Sequence, residues 1–193
     1  MKTMLAFLLA IGIQTVSAQG IIWKIDPVHS NVEFTVVHMV ISEVSGHYKE
    51  FTATMIQGKD DLSGSTLDVT IKAASISTDN DTRDNHLRSA DFFDVTKYPD
   101  LTFKSTSFEK TGENEYRITG DLTIHGIIKP VTLDAKYLGQ IKDSKGTVYA
   151  GFKAIGRVNR YDYNLKWNRS LDAGGLLISE NVDISLNVKM IRQ

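Results

Sequence analysis

The chain has 193 residues, with 22 Lys plus Arg against 23 Asp plus Glu, a formal charge of -1 and no cysteine. A balance this close to neutral, without a basic patch, argues against nucleic acid or an anionic membrane surface as the main partner. The lack of cysteine excludes disulfides, thiol catalysis and cysteine-ligated iron–sulfur clusters, so burial alone must hold the fold together.

Residues 1–18, MKTMLAFLLAIGIQTVSA, carry Lys2, an apolar run from Met4 to Ile13 and a small-residue ending at Val16-Ser17-Ala18. That is the layout of a cleaved secretory leader, and its apolar run is shorter than the roughly 18 residues a membrane-spanning helix needs. The expectation is cleavage near Ala18, a single domain over residues 19–193, and a periplasmic or secreted location. Loss of Lys2 takes the formal charge from -1 to -2. No later segment approaches the length of a transmembrane helix. The mature chain of about 175 residues is long enough to build its own core.

In IDPVHSNVEFTVVHMV, residues 25–40, Val32, Phe34 and Val36 alternate with Asn31, Glu33 and Thr35. Successive side chains leave a strand on opposite sides, so this is a strand with one apolar face, and His38 shares that face. Further period-two runs follow at Val44 to Ile56, Leu67 to Ala73, Leu101 to Phe108, Tyr116 to Ile124, Val131 to Leu138, Val148 to Ile155 and Val182 to Met190. A parity change at Lys49-Glu50 marks a bulge within the second run. The connections KTGENE and KDSKGT read as hairpin loops. One helix is expected within STDNDTRDNHLRSADFF, capped by Thr78 with Asp81 three residues on and ending near Phe92.

About eight antiparallel strands, one helix and no linker or repeat point to an all-β domain, a barrel or a sandwich. Closure removes exposed edges and favours the barrel. An eight-stranded barrel is either just filled by side chains or holds one small ligand. Gly46, Ala53, Ala73, Gly120, Ala135, Ala150 and Ala154 are small residues on the apolar parities. They balance Phe34, Phe103 and Phe152 in a packed core, or they leave a cavity suited to a long apolar guest. By parity the cavity would be lined by Val32, Phe34, Val36, His38, Phe103, Leu122, Ala135, Phe152 and Ile184. Arg83 and His86, on the helix before Phe92-Phe93, are the candidates to meet a polar head group at the mouth.

Five histidines, His29, His38, His47, His86 and His125, show no HxH or HExxH spacing, so no metal site is expected. His47 and His125 read as turn residues. No G-x-S-x-G nucleophile motif or phosphate-cradling glycine loop appears. No catalytic residue is therefore assigned. The alternative is a secreted enzyme acting on a lipid-like substrate with His38 or His86 as acid or base.

The motif W-x-I-D-x-x-H-S-x-V-x-F-x-V-x-H-M runs from Trp23 to Met39, and R-D-x-H-L-R-S-A-D-F-F-D-V-x-K-Y-P-x-L-T-F-K-S from Arg83 to Ser105. GDLTIHG follows at Gly120 to Gly126, and G-x-x-N-R at Gly156 to Arg160. Together these resemble the YceI-like family over nearly the whole mature chain. The resemblance implies a lipocalin-like antiparallel barrel that binds a polyisoprenoid, an isoprenoid quinone or a fatty-acid derivative, the only cofactor-like guest expected, typically in the bacterial periplasm. It marks His29 and His38 as paired histidines flanking the first long strand. The chain departs from the family pattern at Asn164, where Gly is preferred. The sequence carries no marker of oligomeric state, and a homodimer is compatible with it.

Overall fold

Period-two alternation only makes a stable sheet if every strand finds neighbours, because a free edge leaves N–H and C=O groups unpaired. The computed structural model, which describes residues 20–170 and 176–193, meets this requirement by closure. Its strands are β1 (Ile22–Ile25), β2 (Asn31–His38), β3 (Ser42–Tyr48), β4 (Phe51–Ile56), β5 (Thr66–Lys72), β6 (Ile76–Ser77), β7 (Asp100–Gly112), β8 (Glu115–Ile124), β9 (Ile127–Lys142), β10 (Val148–Asn159) and β11 (Ile178–Arg192). The predicted leader, residues 1–18, lies outside the described residues.

These eleven segments amount to eight strands. β1 and β2 both pair with β11 and form one strand interrupted by a kink. β3 and β4 form a second, pairing with β2 and β1 respectively, and β5 and β6 a third. Antiparallel pairing of β1 with both β4 and β11 closes the ring. The result is the expected closed eight-stranded antiparallel barrel with one helix.

The kinks have local causes. Between β1 and β2, Pro27 offers no N–H, and the Asp26 carboxylate accepts from the Val28 N–H at 3.1 Å to cap a 3-10 turn at Pro27–His29. The run Val44 to Ile56 breaks at Lys49-Glu50, and Tyr48 and Phe51 are both buried despite opposite parity. The two N–H groups released there donate to Ser75, Lys49 to its carbonyl at 3.2 Å and Glu50 to its hydroxyl at 3.1 Å. Ser75 itself belongs to the 3-10 turn (Ala73–Ser75) that kinks β5 into β6, so adjacent kinks satisfy one another.

The helix α1 (Asp81–Arg88) is shorter than expected and is capped two residues later. Asn80, not Thr78, accepts from the Arg83 N–H at 2.9 Å. Thr78 is engaged otherwise, its N–H and hydroxyl both donating to the buried Asp84 carboxylate at 2.8 and 2.5 Å. The helix stops at Arg88, where Ser89 turns to extended backbone with ψ 172 and its N–H and hydroxyl both donate to the His86 carbonyl, at 3.1 and 2.7 Å. His47 lies inside β3 rather than in a turn. His125 does occupy a turn, with its ring 4.3 Å from Tyr98.

One end of the barrel is solid. Trp23, Met55, Leu62, Phe108, Tyr116, Ile118, Ala150 and Met190 are buried there, and the Tyr116 hydroxyl donates to the Asp61 carbonyl at 2.8 Å to fix the covering loop. At the other end lie α1, the 89–99 segment and the chain that follows β10. Pairing between β5 and β7 stops at Lys72↔Asp100, and β6 has no strand partner on that side. The gap is where α1 sits.

Candidate functional site

The inner parities of most strands converge on a cavity of about 780 Å³ that runs from the barrel centre toward α1. Its walls are Val, Leu, Ile and Phe from every strand except β6, and its rim includes the exposed residues Asn80, Thr82 and Arg83. A volume of this size falls in the range of small-molecule sites, about 300–1,000 Å³. As a sealed apolar void it would cost about 19 kcal/mol at roughly 24 cal/mol per Å³. That exceeds the about 5–15 kcal/mol by which whole domains are stable. The cavity opens at its rim, so it is not a sealed void.

Val32, Phe34, Val36, His38, Phe103, Leu122 and Ile184 line this cavity, and Arg83 and His86 sit at its rim. Ala135 and Phe152 do not line it. They are buried near the solid end, where the Phe152 ring packs 5.2 Å from Tyr137, because β9 and β10 extend well past the cavity floor. Several small residues also have a packing role instead of opening space. A Cβ on Gly46 would lie 2.4 Å from the Phe34 ring, and one on Gly120 would lie 2.4 Å from the Lys104 carbonyl oxygen and 2.5 Å from the Phe103 ring. The two phenyl rings lie over the glycines. Of the seven small positions, Ala53 is the one in the cavity wall.

The rim is organised by two charged networks. Arg83 donates through Nε to the Thr78 hydroxyl at 2.7 Å and through Nη2 to the Thr78 carbonyl at 2.9 Å, so Thr78 joins Arg83 to the buried Asp84. His86 is held edge-on between Phe92, with centroids 5.0 Å apart, and Trp167 at 4.9 Å, while its Nε2 meets Asp91 at 3.1 Å. This aromatic clasp ties α1 to the segment after β10.

That segment hangs on Arg160, which parity reasoning did not single out. Its side chain is 4% exposed and donates to four backbone carbonyls: Ser179 at 2.8 Å, Trp167 at 2.9 Å, Ile178 at 3.3 Å, and Leu165. Burial pulls its pKa below the usual arginine value, yet a guanidinium stays charged in a protein. The signal was present: Phe152, Ala154, Val158 and Arg160 share one parity, so a charge was due to point inward. Asn164, the departure from glycine, has φ 62 and ψ 18. Asn is among the few other residues that accept this left-handed conformation, so the loop keeps its shape.

Burial pushes the phenols of Tyr48 and Tyr163 up, that of Tyr163 to about 12, so both stay neutral in the cavity wall. The Tyr163 hydroxyl is the one buried side-chain polar atom without a hydrogen-bond partner among the described residues. His29 lies away from the cavity, with Nδ1 2.8 Å from the Asp26 carboxylate at the β1/β2 kink. Among the described residues no cluster of three or more metal-ligating side chains occurs.

The model of the YceI-like domain matches residues 23–190. The chain belongs to the YceI-like family. Protein YceI of Shigella flexneri is 41% identical over 179 residues, covering 92% of this chain and 90% of its own. Among solved structures, the Campylobacter jejuni YCEI protein superposes with a TM-score of 0.70 at 35% identity, over 81% of this chain and 90% of that one. A polyisoprenoid-binding domain from Saccharophagus degradans, implicated in plant cell wall breakdown, shares the fold at a TM-score of 0.61 and 13% identity, over 89% of this chain and 98% of its own. One barrel architecture thus accommodates very different sequences.

Proposed function

We propose that this YceI-like protein is a lipid-binding carrier that holds one long apolar chain in its barrel and acts outside the cytoplasm after export. The observation that carries the reading is the apolar cavity of about 780 Å³ with a polar rim. The polyisoprenoid-binding domain of the same fold supports the class of guest, and the leader-like residues 1–18 support export. A polyisoprenoid, an isoprenoid quinone or a fatty-acid derivative would fit the wall, with Arg83 and His86 near its polar end. A guest burying about 500 Å² gains roughly 12 kcal/mol, and an association cost of at least about 4 kcal/mol leaves affinity no tighter than about micromolar. The aromatic and carboxylate contacts of His86 suit a structural role at the rim better than proton transfer.

Native mass spectrometry of the mature chain purified from a periplasmic host, followed by solvent extraction, tests this reading. The expected result is a stoichiometric long-chain lipid, and the same spectrum reports the oligomeric state. A bare mass that persists after incubation with polyprenols, quinones and fatty acids would overturn it.

A further inference from the structure

We propose that the tip of the β2–β3 hairpin, Met39-Val40-Ile41, is a membrane-contacting element that dips into a lipid surface and turns the cavity mouth toward the bilayer. The inference rests on the reading of the cavity as a lipid site. Three consecutive apolar residues are 46%, 65% and 89% exposed at this tip. Met39 and Val40 have φ of 52 and 68. That left-handed backbone is what Asn-Gly or Asp-Gly supplies in tight hairpins, and for β-branched valine it is a strained conformation. The loop therefore sacrifices turn stability to present apolar side chains to the outside. Backbone strain kept at such a position is a mark of function.

The location ties the tip to the cavity. His38, the residue before it, lines the cavity, and the Met39 N–H donates at 2.8 Å to the carbonyl of Leu177, which also lines it. A water-insoluble guest entering here would leave its bilayer within one residue of the wall that receives it. A protein partner fits less well, since three side chains cannot supply the roughly 800 Å² per partner of a standard interface. For a lipid surface, immersion of a few apolar side chains suffices for weak, reversible contact. A carrier needs contact of that strength. Among the described residues the exposed charges beside the tip are of both signs, Glu43 on β3 and Arg169, whose carbonyl accepts from the Leu177 N–H, so they give no net attraction to anionic lipid. Binding should therefore depend little on salt.

The test compares the full mature protein with a Met39→Asn, Val40→Gly, Ile41→Ser variant. Two of these changes relieve the left-handed strain, so the variant should unfold at the same temperature or higher, which separates loss of contact from loss of fold. The readouts are flotation with phosphatidylcholine vesicles at low and high salt, the rate of loading with farnesol from those vesicles, and farnesol affinity in vesicle-free solution. Expected are salt-insensitive flotation of the wild-type chain, a drop of about tenfold or more in flotation and loading rate for the variant, and equal solution affinity. Equal flotation and loading by both proteins, or no flotation of the wild type, overturns the inference. So does a wild-type dimer that the variant loses, in which case the tip seats a second copy. Failure of farnesol to bind either protein in solution refutes the cavity reading instead, and flotation still decides the role of the tip.

Discussion

Replacing Ala53 by Leu should move stability and ligand binding in opposite directions. Ala53 is the small residue whose position in β4 faces the cavity of about 780 Å³, and it pairs across the sheet with Val69, also in the wall. Leucine adds three carbons there, worth about 2.4 kcal/mol at roughly 0.8 kcal/mol per buried methylene. Loss of rotamer freedom returns about 0.5–1 kcal/mol. The ligand-free variant should gain about 1–2 kcal/mol, or roughly 2–8 °C in midpoint for a chain of this size. The same carbons occupy space that the guest needs, so farnesol affinity should fall. Thermal unfolding of the delipidated protein and a farnesol titration measure both. A variant destabilised by more than about 1 kcal/mol with unchanged affinity would refute the reasoning, because it would mean that Ala53 faces packed core.

Arg160→Met keeps the bulk of the side chain but strands the carbonyls of Leu165, Trp167, Ile178 and Ser179. Each stranded buried acceptor costs about 1–3 kcal/mol, partly offset by no longer burying a charge, so a net loss of about 3–5 kcal/mol should appear in urea unfolding. Arg160→Lys should recover only part of it, since one ammonium cannot span four acceptors. The Asp26 carboxyl is subject to burial, which alone would raise its pKa, but His29 and Lys189 hold it below the usual 3.8. A depressed carboxyl stabilises the fold above its unfolded pKa and loses that contribution as pH falls through its folded value. The gap in melting temperature between wild type and Asp26→Asn should therefore be present at pH 5 and close as pH drops below 3.8. A gap unchanged at pH 3 would sink that assignment.

Much of the barrel was legible because alternation is a local property. Val32, Phe34 and Val36 show which face of β2 is dry without reference to any other strand, and the same holds for Ile184 on β11. Depth along the barrel axis is not local. Ala135 and Phe152 have the same inward parity as the cavity residues, yet they belong to the solid end, where Ala135 pairs with Tyr116 and the Phe152 ring packs on Tyr137. The glycines misled for a related reason. Gly46 and Gly120 leave room, but the rings of Phe34 and Phe103 take it, and which ring lies over which glycine depends on cross-strand register. Arg160 is neither a histidine nor a nucleophile, the residue types that mark a candidate site in a sequence. Its role depends on carbonyls from a segment up to 19 residues further along the chain.

The mutually satisfied kinks divide the barrel mechanically. On the side of the solid end, β1, β4 and β5 continue into a ring with no free edge. Beyond the kinks, β2, β3 and β6 form a panel that hangs from β11 and ends at the two rungs His47↔Ser77 and Tyr48↔Ile76. Widening the entrance breaks those two rungs and the α1 contacts while every pairing of the sealed ring stays intact. An opening confined to this panel would leave the sealed ring intact, so it would need no global unfolding.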